Sequence, residues 1–139
     1  MNLQKAILKQ FDNMRARGWD KIFWAIDFHD TIMPGTYTSD DDNEQFYPGA
    51  VETLNILSRR KDCCLILWTS SHKQYAEKHL DRLNALGVQF DYFNENPECE
   101  NTKLCDFNDK FYFNVLLDDK AGFDGNTDWI KIQSTLQSL

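Results

Sequence analysis

Acidic and hydroxyl side chains follow three apolar runs of the sequence, and their types suit phosphoryl transfer. Asp27 follows the first run, Thr69 follows the second, and Asp118 and Asp119 follow the last. Carboxylates can hold Mg²⁺, and an aspartate can attack phosphorus as a nucleophile. Singly, each position could be a turn former or a helix cap. Together, an acid, a hydroxyl and a double acid in this order are hard to attribute to turn chemistry.

Each side chain can be given a role in phosphate ester hydrolysis. Attack by Asp27 would split the reaction into two easier steps through an aspartyl-phosphate. The Thr69 hydroxyl, with Ser70 and the amides that follow, could take phosphate oxygens at a helix N-terminus. A lysine is then needed to neutralise the remaining charge. Lys110, just before the last apolar run, is the best placed candidate, and Lys103 is the reserve.

The elements that must position these residues alternate between strand and helix, which predicts βαβ units around a parallel sheet. We expect strands at 21–26, 63–68, 89–93 and 111–117, and helices at 3–16, from Pro48, from Ser70 or Ser71 to about 86, and at 129–136. The first two strands are apolar on both faces, as in the middle of a covered sheet. Ligand sites of such sheets lie beyond the carboxyl ends of the strands, so the polar clusters should converge there.

Length and composition fit one globular domain. The chain has 139 residues, 42% hydrophobic and 14% aromatic, so a core can form without disulfides or metals. Its net charge of −7 disfavours general nucleic-acid binding. The sequence has no apolar run long enough to span a membrane, no signal-peptide pattern and no CxxC pair, which predicts a cytoplasmic protein. Its oligomeric state is not readable, and a monomer is compatible with it.

Residues 32–47 interrupt the alternation of strands and helices. They contain Pro34, Gly35 and three successive aspartates, so they predict a loop or a short hairpin. A loop of this length in a compact domain usually has a function, such as gating a site.

These motifs together resemble the haloacid dehalogenase-like (HAD) superfamily of Mg²⁺-dependent phosphatases. The resemblance begins at Ile22 and covers nearly all of the chain that follows. It rests on the nucleophile motif at 27–31 (DFHDT for DxDxT), the hydroxyl motif at 67–70 (LWTS), Lys110 as the motif lysine, and the acidic motif at 116–119 (LLDD). Residues 118–129 also resemble small, capless bacterial and phage members of unassigned substrate.

The resemblance implies one domain, 1–139, with a Rossmann-like three-layer α/β core, a short parallel sheet and no cap domain. Residues 1–20 would form an N-terminal helical extension. Mg²⁺ would be held by Asp27, Asp118 and the backbone carbonyl of His29, and Asp119 would hold a metal-bound water or be a second ligand. The site would be open, with the loop 32–47 as its only flap.

His29 departs from the superfamily pattern, because the second Asp of DxDxT is the general acid/base. Imidazole can do the same proton work, since its unperturbed pKa of about 6.5 suits catalysis near neutrality. Residues two apart in an extended stretch share a face, so His29 should point with Asp27 while Asp30 points away. The remaining histidines are expected on or beside the helix that follows the second strand, with His72 at the edge of the site and His79 at the surface.

The sequence therefore predicts a Mg²⁺-dependent phosphomonoester hydrolase that works through an aspartyl-phosphate on Asp27. The alternative is a catalytically weakened HAD-like domain that binds a phosphorylated ligand or a partner protein, and His29 is the feature that favours it. A response-regulator receiver domain has similar parts, but its acid pair follows the first strand rather than the last. A metal-dependent nuclease is disfavoured by the negative charge. No residue identifies the phosphorylated substrate.

Overall fold

The computed structural model describes residues 1–35 and 45–139. Its elements are α1 (Leu3–Arg17), β1 (Ile22–Ile26), α2 (Ala50–Arg59), β2 (Cys63–Leu67), α3 (Lys73–Ala85), β3 (Tyr92–Phe93), β4 (Val115–Leu117), a short 3-10 helix (Asp119–Ala121) and α4 (Asp128–Gln137). All four predicted helices and all four predicted strands are present. Every helix in these two ranges is too short or too polar to cross a lipid bilayer.

The four strands form one parallel sheet in the order β3-β2-β1-β4. β1 pairs with β2 from Ile22 opposite Cys63 to Ile26 opposite Leu67, and β4 lies on its other side. Every residue of β1 and of β2 is buried, which confirms the prediction from their unbroken apolar runs. The predicted parallel α/β fold is therefore confirmed, and its central strands end at one edge of the sheet.

The two faces of the sheet are covered differently. Ile22, Trp24 and Ile26 face the main core, into which α1 also inserts the fully buried Ile7 and Phe11. The N-terminal helix is thus part of the core. The opposite face is covered largely by the irregular segment 94–113, which supplies the third layer in place of a helix. The apolar residues on that face are Phe23, Cys64 and Ile66, with Tyr92, Cys99, Phe111, Tyr112 and Phe113 packed over them.

Two strands are shorter than predicted because side chains replace backbone acceptors where those strands were expected to pair. The Asp91 carboxylate accepts the Leu65 amide at 2.8 Å, so β3 begins only at Tyr92. The Asn114 side chain similarly accepts the Phe23 amide at 2.8 Å, and β4 begins at the next residue. The apolar residues that were predicted to begin the last strand lie instead in a loop that packs over the sheet.

The predicted start of α3 at Ser70 or Ser71 is wrong. The helix begins at Lys73, and the preceding His72 makes no side-chain cap hydrogen bond. The Ser71 amide is bonded instead to the hydroxyl of Thr69, at 3.1 Å. A tight turn after β2 therefore separates the Thr69 hydroxyl from the start of the helix.

Candidate active site

Three carboxylates meet at the carboxyl edge of the sheet. Asp27 follows β1 and Asp118 follows β4, and the Asp27 amide donates to the Leu117 carbonyl at 2.9 Å. The pairing of the two strands thus continues one residue beyond them and sets the two acids side by side. Asp119 joins from the 3-10 helix, and one oxygen of each carboxylate lies within 4.8 Å of the others. The predicted convergence of the first and last acidic motifs is found in the structure.

Thr31 ties the two acidic turns together. Its hydroxyl donates to Asp27 Oδ2 at 3.1 Å and accepts the Asp119 amide at 3.1 Å. Its carbonyl accepts the indole N–H of Trp129 at 2.7 Å, so α4 supports the same turn. Thr31 is fully buried. One threonine therefore fixes both the orientation of the Asp27 carboxylate and the start of the turn that carries Asp119.

The cluster is short of positive charge. The pKa of Asp27 is raised to about 6, first by burial, then by the charge of Asp118 and by a hydrogen bond with Asp119. Hydrogen bonds from the Phe28 amide and the Thr31 hydroxyl oppose this rise in the pKa. A carboxyl whose pKa rises on folding is disfavoured in its charged form, so ionised Asp27 lowers folding stability as pH rises from 3.8 towards about 6.

Asp119 contributes a buried carboxylate oxygen that receives no hydrogen bond from the described residues. Its Oδ1 atom is buried and accepts no hydrogen bond from residues 1–35 or 45–139. The ammonium of Lys120 lies 4.0 Å from that oxygen and is largely exposed to solvent. A hard cation with oxygen ligands would satisfy such an atom and offset the repulsion between the three carboxylates. The donor set of this cluster therefore fits Mg²⁺.

Replacing Thr31 by Val should destabilise the protein by about 1–3 kcal/mol, because the Asp119 amide loses its acceptor and Asp27 loses a donor. Urea unfolding without metal measures the change. Thr31→Ser keeps the hydroxyl and is the matched control. A loss in Thr31→Ser with little or none in Thr31→Val would instead assign the stabilisation to the packing of the methyl group.

Thr69 is held by a side chain that the sequence reasoning missed. Asn94 follows β3; its carbonyl oxygen accepts the Thr69 amide at 2.8 Å, and its amide nitrogen donates to the Thr69 carbonyl at 2.7 Å. Asn94 has a φ of 53°, a conformation that asparagine tolerates better than most residues. The signal was present, because Asn94 is the polar residue directly after the third strand. The other three clusters were found because polar residues that follow parallel strands converge at one edge of the sheet, and the same reasoning applies to Asn94.

The residues after Asp27 form a turn rather than the extended stretch expected. The amides of Thr31 and Ile32 both donate to the Phe28 carbonyl, at 3.2 and 2.8 Å. Asp30 takes a left-handed conformation, and its carboxylate accepts the Gly35 amide at 2.8 Å. The strand-like alternation of side chains was therefore the wrong argument at this point. Asp30 instead holds the first residues of the loop that follows.

His29 packs among rings. Its imidazole centroid lies 5.2 Å from that of Phe28 and 5.8 Å from that of His79, edge-on to both. His79 is buried on α3 and stacks on Phe28 at 4.6 Å, so its predicted surface position is wrong. The role of His29 as a proton carrier stays a prediction.

Both candidate lysines are exposed and lie on segment 94–113. The Lys110 ammonium is 5.7 Å from the ring centroid of Phe113. Within the described ranges, no ion pair joins Lys110 to the three carboxylates. The assignment of Lys110, with Lys103 as reserve, stays a prediction.

A hydrogen bond joins the two ends of the loop 32–47 beside the acidic cluster. The Tyr47 amide donates to the Ile32 carbonyl at 2.8 Å. Burial raises the pKa of the Tyr47 hydroxyl, and the charges of Asp30, Asp119 and Asp124 raise it further. The loop therefore begins and ends next to the site. Residues 36–44, the middle of the predicted flap, lie outside the described residues.

No protein-family model matches the sequence, and no curated protein matches it either. The fold matches the solved structure of a conserved protein from Bacteroides thetaiotaomicron with a TM-score of 0.64. The two chains are 24% identical, and the match covers 85% of this chain and 91% of that one. At this identity the similarity supports the α/β fold alone, and the chemistry must be argued from the residues of the site.

Proposed function

We propose that the protein is a Mg²⁺-dependent phosphomonoester hydrolase of the haloacid dehalogenase-like type, with Asp27 as its nucleophile. The observation that carries the proposal is the meeting of three carboxylates at the carboxyl edge of a parallel sheet, with Asp27 directly after the inner strand β1. Ligand sites of open α/β sheets lie at this edge. A purely structural turn does not need three mutually repelling acids in one place.

The contacts of Asp27 suit attack on phosphorus. Thr31 holds its Oδ2 atom, which leaves Oδ1 to form the bond to phosphorus. The P–O bond to the leaving group then breaks, and His29 gives that oxygen a proton. In the second step water attacks phosphorus and loses a proton to His29. The aspartyl P–O bond breaks, and inorganic phosphate and the free Asp27 carboxylate result.

Thr69 has the contacts expected of a phosphate ligand. Its hydroxyl accepts the Ser71 amide, so its own O–H remains to be donated to a phosphate oxygen. The two hydrogen bonds with Asn94 keep its backbone in place. In the same scheme Ser70 and Lys110 contribute a further donor and a positive charge.

Asp27, Asp118, Asp119 and the backbone carbonyl of His29 would hold the cation. When bound, Mg²⁺ supplies positive charge that balances the carboxylates and the phosphate oxygens. The buried and unbonded Oδ1 atom of Asp119 supports this assignment independently of any activity.

Mg²⁺ at ten times its dissociation constant should raise the melting temperature by about 4–6 °C, because it binds only the folded cluster. Scanning calorimetry measures the shift. In Asp118→Asn the shift should largely disappear. The metal-free variant should nevertheless melt at or above the metal-free wild type, since one repelling charge is gone.

The matched control for this measurement is Asp20→Asn, an exposed acid at the opposite end of β1. It changes the net charge equally and should keep the full response to Mg²⁺. A wild-type melting temperature that does not respond to millimolar Mg²⁺ would contradict the cation site.

A screen of phosphomonoesters with Mg²⁺ and with EDTA tests the function itself. Phosphate release that requires the cation and is lost in Asp27→Asn is the expected result. Binding of phosphorylated compounds without turnover would favour the second candidate, a weakened domain that binds a phosphorylated ligand or a partner protein. His29 at the acid/base position is the specific observation behind that candidate.

A further inference from the structure

A cleft of about 420 Å³ lies on the sheet face covered by segment 94–113. This volume is within the range of small-molecule sites. Three aromatic residues, Trp68, Phe107 and Phe111, line it together with several asparagine and acidic side chains. Trp68 is 43% exposed, and its ring meets that of Phe111 edge-on with centroids 5.3 Å apart. The cleft therefore offers a large flat indole surface, supported from one side.

The cleft lies beside the strand end that neighbours Asp27, although none of the three clustered carboxylates lines it. β1 and β2 pair Ile26 with Leu67, and the Trp68 amide continues that ladder by donating to the Ile26 carbonyl at 2.8 Å. Trp68 therefore stands next to Asp27, one strand away, at a spacing of about 4.8 Å between strands. Asn94 belongs to both places, since it lines the cleft and holds the backbone of Thr69. A phosphomonoester whose phosphorus faces Asp27 would thus have this cleft beside it to receive the leaving group.

The charge of the cleft limits what can enter. Glu95, Glu100 and Asp109 line it and are exposed, and the described cleft lining contains no lysine or arginine. A leaving group with further phosphates would be repelled by these acids. Amino groups on a ring could donate hydrogen bonds to them and to the asparagine side chains. Exposed aromatic rings also bind nucleobases by stacking on them, with little dependence on the identity of the base.

We propose that this cleft binds the leaving group of the substrate, and that the leaving group carries a flat heterocycle with amino substituents. The proposal rests on the proposed phosphomonoester hydrolase function and names its substrate class: monophosphates of the mononucleotide kind. Trp68 provides the stacking surface, and the acidic residues exclude di- and triphosphates and polynucleotide chains.

Binding of adenosine to the full-length protein tests the cleft separately from catalysis, because adenosine has no phosphate to hydrolyse. Equilibrium dialysis should detect binding, and Trp68→Ala should weaken it by about 5- to 100-fold. The matched control is Trp19→Ala, a half-buried indole at the opposite end of β1 that contacts Arg17. It should bind adenosine like the wild type. No binding at millimolar adenosine, or equal losses in both variants, would overturn the proposal.

Turnover in Mg²⁺ supplies the second arm. Adenosine monophosphate should be hydrolysed with a kcat/KM at least tenfold above that of glycerol phosphate, and Trp68→Ala should remove this preference. An oligonucleotide with a 5′-phosphate, or adenosine triphosphate, should be a poorer substrate, and a preference for either would overturn the proposal. Adenosine binding that depends on Trp68 without any hydrolysis would uphold the cleft and reject the phosphatase. Hydrolysis without a preference for adenosine monophosphate over glycerol phosphate would uphold the phosphatase and reject the cleft.

Discussion

Replacing Asp27 by Asn should reduce Mg²⁺-dependent phosphomonoester hydrolysis by at least about 10⁴-fold in kcat, because an amide cannot form the acyl-phosphate. The substitution is nearly isosteric, and the amide oxygen can still accept the Thr31 hydroxyl. The fold should therefore survive. Removal of a charge disfavoured by burial and by Asp118 should leave the metal-free protein at least as stable as the wild type.

Steady-state assays with the best substrate of the phosphomonoester screen measure the loss, and mass spectrometry of acid-quenched enzyme tests for phosphate on Asp27. Asp20→Asn is again the control of equal charge, and it should retain wild-type turnover. A fully active Asp27→Asn variant would reject both the nucleophile and the hydrolase assignment. An inactive variant that melts at least as high as the wild type would attribute the loss to chemistry rather than to unfolding.

The parallel sheet could be predicted because its central strands carry the signal in their composition. β1 and β2 are apolar without alternation, and only a strand covered on both faces tolerates this. The meeting of Asp27 with Asp118 then follows from topology, since parallel neighbours end at the same edge. The outer strands were overextended because the prediction took no account of side chains that substitute for backbone partners, as Asp91 does.

The local geometry of the site could not be read from strand periodicity. Beyond Asp27 the chain turns, and Asp30 adopts a positive φ, so alternation of faces no longer describes where side chains point. The connecting role of Thr31 depends on the Asp119 amide, 88 residues away in sequence. Asn94 could have been predicted, since it directly follows a predicted strand and its partner Thr69 was already a candidate. The pairing of Thr31 with the Asp119 amide, by contrast, could only be seen in the three-dimensional structure.

Segment 94–113 is irregular, although its last residues were predicted to begin the fourth strand, and its consequence for the site was not foreseen. Its aromatic residues cover the second face of the sheet and form one side of the cleft beside Trp68. In the sequence these aromatics indicated a strand, because strand and loop cannot be distinguished in a short apolar run. A layer built from loop leaves room at the edge of the sheet, where a packed helix would have closed it.

His29→Ala should lower turnover of alkyl phosphates by roughly 10²–10⁴-fold, the usual worth of a positioned general acid/base. Substrates with good leaving groups, such as aryl phosphates, should lose much less, since their first step needs no proton. The response of the melting temperature to Mg²⁺ should be nearly unchanged, because only the backbone carbonyl of His29 would contact the cation. Calorimetry also measures any loss of stability from the ring contacts with Phe28 and His79.

His29→Asp completes the test, because it restores the acid found at this position in the superfamily that the sequence resembles. If the imidazole is the working acid/base, the Asp variant should not exceed the wild type by much, and the Ala variant should fall far below both. If the chain is a weakened phosphatase, the Asp variant should be much faster than the wild type and the Ala variant should match the wild type. The two hypotheses therefore predict different results for both substitutions. The leaving-group dependence separates them again, since a histidine that moves no proton cannot make alkyl esters more sensitive to its removal than aryl esters.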